Sequence, residues 1–201
     1  MFSLIQAAGW PVWFLILTSI LAVALIIERY LSLKREKILP PKLLDEVLAL
    51  YRNRQITPEM VQKLEASSAL GRVFATGLRN ETSSREVMKE AMEETGRAVA
   101  HDLERYLAAL GTIASIAPLM GLFGTVVGMI EIFGAQAPSG TNPQLLAHGI
   151  SVALYNTALG LIIAIPAMIA YRYFRSRVDD CLAEMEQQSL RLIDTLRASR
   201  R

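Results

Sequence analysis

Among the polar side chains in the long apolar runs of the sequence, Thr125, Asn156 and Thr157 are the candidates for groups buried at depth. Hydroxyl and amide groups in such a segment must find a hydrogen-bond partner or line a wet cavity. A threonine can bond the carbonyl of its own preceding turn, whereas an asparagine has no such easy partner. If ions cross here, these groups would line the path, and the titratable group must come from another protein.

No other grouping of residues predicts chemistry. His101 and His148 fall in different segments, and the sequence has no glycine-rich phosphate loop after a strand pattern and no Ser/His/Asp or Cys/His arrangement. Cys181 permits no internal disulfide and fits no zinc spacing. The formal net charge of +2 gives no reason to expect nucleic acid as a partner. We therefore expect neither catalysis nor a metal site.

The elements that must position the three polar groups are membrane-spanning helices. Residues 1–27, 106–130 and 132–171 contain no Asp, Glu, Lys or Arg. A soluble helix keeps one polar face, whereas about 20 apolar residues span a bilayer. The sequence predicts an all-α membrane protein with three transmembrane helices, at residues 10–30, 106–132 and 145–171. A signal peptide is the alternative for the first, but residues 1–9 carry no basic residue.

Basic residues flank only one end of each run, which predicts the orientation. Residues 1–9 and 133–144 hold no Lys or Arg, whereas the opposite ends carry Arg29, Lys34, Arg35, Lys37, Arg105, Arg172, Arg175 and Arg177. Short loops rich in Lys and Arg stay in the cytoplasm. We expect residues 1–9 to form a short periplasmic segment and 133–144 a periplasmic loop. We expect residues 31–105 to form a cytoplasmic helical domain and 172–201 a cytoplasmic C-terminal helix.

Helix-start signals precede the second run. Ser83 followed by Glu86 fits a capping box, and the next proline is Pro118. We therefore expect one helix from about residue 84 through the second span. Upstream, a proline pair opens an amphipathic pattern over residues 42–54, and Thr57-Pro58 is typical of an N-cap followed by the first helical residue.

The segment after the third run is predicted to continue as a helix, because only Pro166 interrupts the sequence between Pro143 and the C-terminus. Pro118 and Pro166 mark expected helix kinks. The tail carries an apolar stripe, broken at Ser189, that consists of Val178, Leu182, Met185, Leu192 and Leu196. We expect this stripe to pack on the helix before the second span, in the same subunit or in another. A solvated tail is the alternative.

Small residues recur at four-residue spacing in the second and third runs. Such spacing lets helix backbones approach closely in lipid, where packing drives association. We expect helix packing at Ala117, Gly121, Gly124, Gly128, Gly149, Ala153, Gly160 and Ala164.

Two segments resemble motifs of the ExbB/TolQ/MotA family of proton-channel and motor-stator subunits, most closely its ExbB and TolQ branch. Residues 117–128 read APLMGLFGTVVG and look like the family's A-P-x-x-G-L-F-G-T-V-x-G. Residues 149–167 read GISVALYNTALGLIIAIPA and look like its G-I-x-x-A-L-x-x-T-A-x-G-L-x-x-A-I-P-A. The plan of three spans is similar too, whereas MotA-like stators have a fourth.

The resemblance implies an inner-membrane homopentamer whose second and third spans line a central pore. One-span helices of an ExbD- or TolR-like partner would enter the pore and bring an essential aspartate. Protons would be the coupling ion, with no other cofactor, and a TonB- or TolA-like protein would receive the motion. Thr125 and Thr157 match the family's pore threonines.

Two positions depart from the family pattern. Val152 stands where many relatives have glutamate, and Asn156 replaces a residue that is usually small. We therefore expect no mechanism that needs a carboxylate in the channel wall, and we place Thr125, Thr157, Asn156 and Val152 along the proton path. Three functions stay open: an ExbB-like role in outer-membrane import, a TolQ-like role in envelope integrity and division, and a passive helical scaffold.

Overall fold

The computed structural model describes residues 9–134 and 143–198, without the side chains of Leu145, His148 and Val152. The described residues form helices and no strand, which confirms the expected all-α class. In chain order the helices are α1 (Pro11–Ser32), α2 (Arg35–Ile38), α3 (Leu43–Arg52), α4 (Pro58–Ser67), α5 (Ala69–Arg79), α6 (Arg85–Glu104), α7 (Leu107–Gly134) and α8 (Pro143–Ala198).

Three helical stretches of the described residues are long and apolar enough to cross a membrane: Pro11–Ser32, Arg85–Gly134 and Gly149–Ala198. The second and third contain 50 residues each, far more than the roughly 20 that a bilayer needs. The prediction of three spans, two of them very long, is confirmed.

The second long stretch is interrupted between α6 and α7. Tyr106, which lies in the two-residue gap, has a φ of 67°, in the left-handed region. This conformation costs about 1–2 kcal/mol for a residue with a Cβ atom, and it ends the regular helix. The single helix expected from residue 84 is therefore two helices. No proline or glycine stands at the gap, so the composition did not indicate a break.

Side-chain caps set where the short helices begin. The backbone N–H of Met60 donates to the hydroxyl of Thr57 at 3.3 Å, which confirms the predicted N-cap of α4. The prediction for α6 is wrong by one residue, because Ser84 and not Ser83 is the N-cap. The hydroxyl of Ser84 accepts a hydrogen bond from the N–H of Val87 at 3.2 Å. Two adjacent serines offered the same capping chemistry, and the backbone selected the second.

The described chain divides into two compact units. The first, here called the apolar unit, comprises residues 9–29, 106–134 and 143–173 and so contains α7 and the N-terminal half of α8. The second, here called the charged unit, comprises residues 30–105 and 174–198.

The C-terminal half of α8 lies against α6 within the charged unit. Ion pairs join the two helices at both ends: Arg175 with Glu104 at 3.2 Å, and Arg85 with Asp194 at 3.0 Å. The predicted stripe on α8 is turned inward, and its fully or nearly fully buried members are Val178, Met185, Leu192 and Leu196, whereas Leu182 is half-buried. Ser189 is buried with them.

Candidate functional site

A close helix contact in the apolar unit joins α7 and α8. A Cβ atom built at Gly121 would lie 2.6 Å from the backbone oxygen of Asn156, and one built at Gly160 would lie 2.5 Å from the backbone oxygen of Ala117. Neither position admits a side chain, because the obstacle is backbone. The two helices therefore touch main chain to main chain, as small residues permit in a membrane.

The contacts run antiparallel. Gly111 of α7 faces Tyr171, Gly121 faces Asn156 and Thr157, and Gly128 faces Ala153. Residue numbers rise along one helix as they fall along the other. This register fixes which side chains of α7 and α8 share a level.

Asn156 lies at the centre of this contact and is fully buried. A Cβ atom built at Gly124 would lie 2.8 Å from Cβ, 2.9 Å from Cγ and 3.0 Å from Nδ2 of Asn156. The asparagine side chain thus occupies the space that the glycine leaves open. It faces the neighbouring helix of its own chain.

Thr125 directly follows Gly124 in α7, and Thr157 directly follows Asn156 in α8. Each residue advances a helix by about 100°. When two antiparallel helices face each other through one pair of residues, the next residue of each helix points to the same side of the pair. The two threonines therefore share one level and one flank, and both are half-buried.

The two hydroxyls differ in their hydrogen bonds. Thr125 donates from Oγ1 to the carbonyl of Leu122 at 2.6 Å, within its own helix. The hydroxyl of Thr157 has no hydrogen-bond partner among the described residues. Thr125 also borders a surface depression of about 440 Å³ that is lined otherwise by the apolar side chains of Val126, Met129, Ile130 and Phe133.

The other predicted residues fall along the same two helices. Ala117, Gly121, Gly124, Ala153, Gly160 and Ala164 are buried, whereas Gly128 and Gly149 are partly exposed. Pro118 and Pro166 lie inside α7 and α8. Val152 lies in α8 one turn before Asn156, and its side chain falls outside the described part of the structure. The predicted loop 133–144 falls outside it at residues 135–142.

Sequence reasoning missed one buried charge. Arg29, near the end of α1, is 4% exposed, and its guanidinium lies 5.2 Å from the centre of the Tyr106 ring. Its Nε and Nη2 donate to the carboxylate of Glu28 at 2.5 and 2.6 Å. In the sequence, Arg29 was used only as one of the basic residues that predict the orientation of the spans in the membrane.

The lone cysteine lies in the charged unit. Burial raises the pKa of the Cys181 thiol, which disfavours the reactive thiolate form. The residue is a free, buried cysteine.

These features define a class: a helical membrane protein whose second and third spans form a glycine-lined pair that carries hydroxyls. The sequence model of the MotA/TolQ/ExbB proton channel family matches residues 65–187. The chain belongs to this family, as the resemblance predicted.

Three relatives show how far the similarity extends. The ExbB-like biopolymer transport protein 3 of Synechocystis sp. is 33% identical over 163 residues, which cover 79% of this chain and 77% of the relative. The biopolymer transport protein ExbB of Salmonella typhimurium is 35% identical over 125 residues, 62% of this chain and 48% of the relative. The Tol-Pal system protein TolQ of Haemophilus influenzae is 45% identical over 80 residues, 38% of this chain and 34% of the relative. The chain thus spans less than half of the last two.

Proposed function

We propose that this chain is the wall subunit of a proton-driven complex in the bacterial inner membrane, with α7 and α8 lining the proton path. The observation that supports this most directly is the placement of Thr125 and Thr157 at one level and on one flank of a tightly packed helix pair. Hydroxyls on an exposed flank can hydrogen-bond to water or to a passing acid. The opposite flank of the pair carries Phe123 and Tyr155.

A partner supplies the titratable group in this proposal. Between residues 106 and 171 the sequence has one charged residue, Glu131, which lies in the last turn of α7. Threonine hydroxyls do not titrate near neutral pH and so cannot take up and release a transported proton themselves. An ExbD- or TolR-like chain with one span and an intramembrane aspartate would bring the acid against the threonine flank.

Several copies are needed to close the path. One pair of helices cannot enclose a pore, so the flank with Thr125 and Thr157 must be completed by other chains. Large apolar side chains exposed on the three long helices, such as Ile130 and Ile162, suit contact with lipid and with neighbouring copies. We propose a homopentamer around the partner, with the N-terminus periplasmic and the C-terminus cytoplasmic.

The output of the complex is proposed to be the energising of a TonB-type protein for outer-membrane import. The names of the Synechocystis and Salmonella relatives, biopolymer transport proteins, favour this reading. The second candidate is a TolQ-like role in envelope integrity and division. It is favoured by the 45% identity to the Haemophilus Tol-Pal protein over 80 residues.

Proton flux tests the wall role. The chain is reconstituted in vesicles with a one-span partner that bears an intramembrane aspartate, and flux is measured under a pH gradient. Thr157→Val keeps the side-chain shape and removes the hydroxyl, so we expect flux to fall about tenfold or more, and Thr157→Ser to restore most of it. Thr112→Val is the matched control, because the Thr112 hydroxyl bonds within α7 to the carbonyl of Ala108 at 2.8 Å. Unchanged flux in Thr157→Val would favour the passive scaffold.

Complementation separates the two outputs. The chain and its partner are expressed in a strain that lacks its TonB-linked pair and, separately, in one that lacks its Tol-linked pair. Restored siderophore-dependent growth with persistent detergent sensitivity supports the import role. The reverse pattern supports the envelope role.

A further inference from the structure

Asn156 is the only polar side chain that is fully buried in the described part of the apolar unit between Gly149 and Tyr171. We infer that Asn156 is a positioning residue: its side chain, packed into the gap at Gly124, locks α8 against α7 so that Thr125 and Thr157 stay on one flank. The consequence for proton passage rests on the proposed function, whereas the packing relationship does not.

The geometry opposes a small slide of the asparagine along α7. Its Cβ, Cγ and Nδ2 atoms all lie within 3.0 Å of the position that a Cβ at residue 124 would take. The residues on either side of Gly124 are Phe123 and Thr125. A slide of one residue would bring a side chain against the carboxamide, and the next registers that offer it a glycine are a full turn away, at Gly121 and Gly128.

Rotation of α8 is also penalised. Turning the helix would move the Asn156 amide from the helix contact toward lipid, where an unsatisfied polar group costs several kcal/mol. A single buried asparagine fixes register in coiled coils by the same physics. A small apolar residue at position 156 would permit the same close approach, but it would not penalise a slide or a turn.

The position of Thr157 follows from this lock. Thr157 is the next residue along α8, and its Cα atom lies 3.0 Å from a Cβ built at Gly121. Its flank is therefore set by the orientation of Asn156. Releasing the lock would let the Thr157 hydroxyl leave the level of Thr125 without unfolding either helix.

A double-mutant cycle tests the lock. Gly124→Ala inserts a methyl group where the asparagine lies, and Asn156→Ala leaves a gap opposite Gly124. We expect each single variant to lower proton flux per assembled complex about tenfold. The double variant Gly124→Ala/Asn156→Ala refills the gap with a methyl group, so it should recover at least about fivefold over Gly124→Ala alone. If Gly124→Ala does not assemble, recovery of assembly in the double variant is the corresponding result.

Gly128→Ala is the matched control on the same helix. A Cβ atom built there would lie 3.3 Å from the Cβ of Ala153 and 3.7 Å from its Cα, a tight contact that does not involve Asn156. We expect Asn156→Ala to leave the effect of Gly128→Ala unchanged. Equal recovery of Gly124→Ala and Gly128→Ala by Asn156→Ala would show general loosening and overturn the inference.

Cross-linking gives a readout that is independent of flux. Thr125→Cys and Thr157→Cys are introduced together in a Cys181→Ala background and treated with a short bifunctional thiol reagent. The linked peptide pair within one chain is then quantified by mass spectrometry. We expect Asn156→Ala to lower the yield at least about threefold and the double variant to restore part of it, because the added methyl group refills the contact but does not restore the penalty on turning a polar side chain toward lipid.

The two proposals fail separately. If Asn156→Ala leaves the cross-linking yield unchanged, the lock does not exist, whatever the flux. If the cross-linking pattern holds but Thr157→Val conducts normally, the positioning of the threonines stands and the proposed proton path is wrong.

Discussion

The guanidinium of Arg29 covers the ring of Tyr106 at 5.2 Å, and Tyr106 is the residue with a φ of 67° that separates α6 from α7. A bulky residue in this conformation persists only where its surroundings hold it. Glu28 neutralises the buried arginine, and the guanidinium also contacts the aromatic face of Tyr106. The break in the long helical stretch is therefore tied to the end of α1.

Substitution of Tyr106 separates the ring from its hydroxyl. Tyr106→Phe keeps the aromatic face, so we expect it to keep the cation–π part of the stability, measured as the midpoint of thermal unfolding in detergent. Tyr106→Leu keeps bulk but loses the cation–π contact, and it should cost about 1–2 kcal/mol. Equal loss in the two variants would assign the effect to the hydroxyl and not to the ring.

Gly160→Ala tests the main-chain contact of α7 and α8. The added methyl would lie 2.5 Å from the Ala117 oxygen, so we expect at least about 2 kcal/mol of destabilisation and loss of the assembled complex in native mass spectrometry. Gly124→Leu should also block close packing. Gly96→Ala is the control, because a Cβ there meets nothing within 4 Å. In the interior of α6 it should stabilise by about 0.5–1 kcal/mol.

Ser84→Ala removes the N-cap of α6. We expect it to cost about 1 kcal/mol, measured by thermal unfolding of the full chain. Ser83→Ala is the neighbouring control. The structural contact of Ser83 is its backbone carbonyl, which accepts a hydrogen bond from Nη2 of Arg197 at 2.8 Å, and alanine keeps that carbonyl. A larger loss in Ser83→Ala than in Ser84→Ala would contradict the assigned cap.

The ion pair between Glu65 and Arg79 makes stability depend on acid pH. The hydrogen bond from Arg79 holds the pKa of the Glu65 carboxyl below its ordinary value of 4.5. Because the folded-state pKa is the lower one, the contribution is present above 4.5 and is lost as the pH falls through the folded-state pKa. We expect Glu65→Gln to flatten this part of a plot of thermal midpoint against pH.

Both partners are exposed, so the effect should be small and should weaken further with added salt. Glu94→Gln is the control, since Glu94 lies exposed on α6 and forms no ion pair with a described residue. A pH profile that changes equally in both variants would show that the pair contributes nothing specific.

The spans could be predicted because hydrophobicity is a local property of the sequence. Charge-free runs and the small-residue spacing led to α7 and α8 and to the glycines that line their contact. The positions of Thr125 and Thr157 on one flank depend on the register between two helices, which no single segment encodes. The sequence named both threonines but not their shared level.

The features that the sequence did not predict depend on tertiary contacts, which select between positions of nearly equal local preference. Ser83 and Ser84 offer the same hydroxyl, and the tertiary contact of Arg197 with the Ser83 carbonyl accompanies the choice of Ser84 as the cap. The break at Tyr106 is likewise accompanied by a tertiary contact, with Arg29, which lies 77 residues earlier in the chain. Asn156 was expected along the proton path, and its burial against Gly124 results from the packing of α8 on α7, which the sequence alone does not specify.

The two interior prolines have a mechanical consequence. A proline lacks the amide hydrogen that would bond the carbonyl four residues earlier, so Pro118 interrupts the ladder of α7 and Pro166 that of α8. In the antiparallel register set by Gly111 against Tyr171 and Ala117 against Gly160, the two interruptions lie within about one helical turn of each other. Both helices thus lack a backbone hydrogen bond at nearly the same level. A load applied to either helix would flex the pair together at that level, about two turns from the threonines.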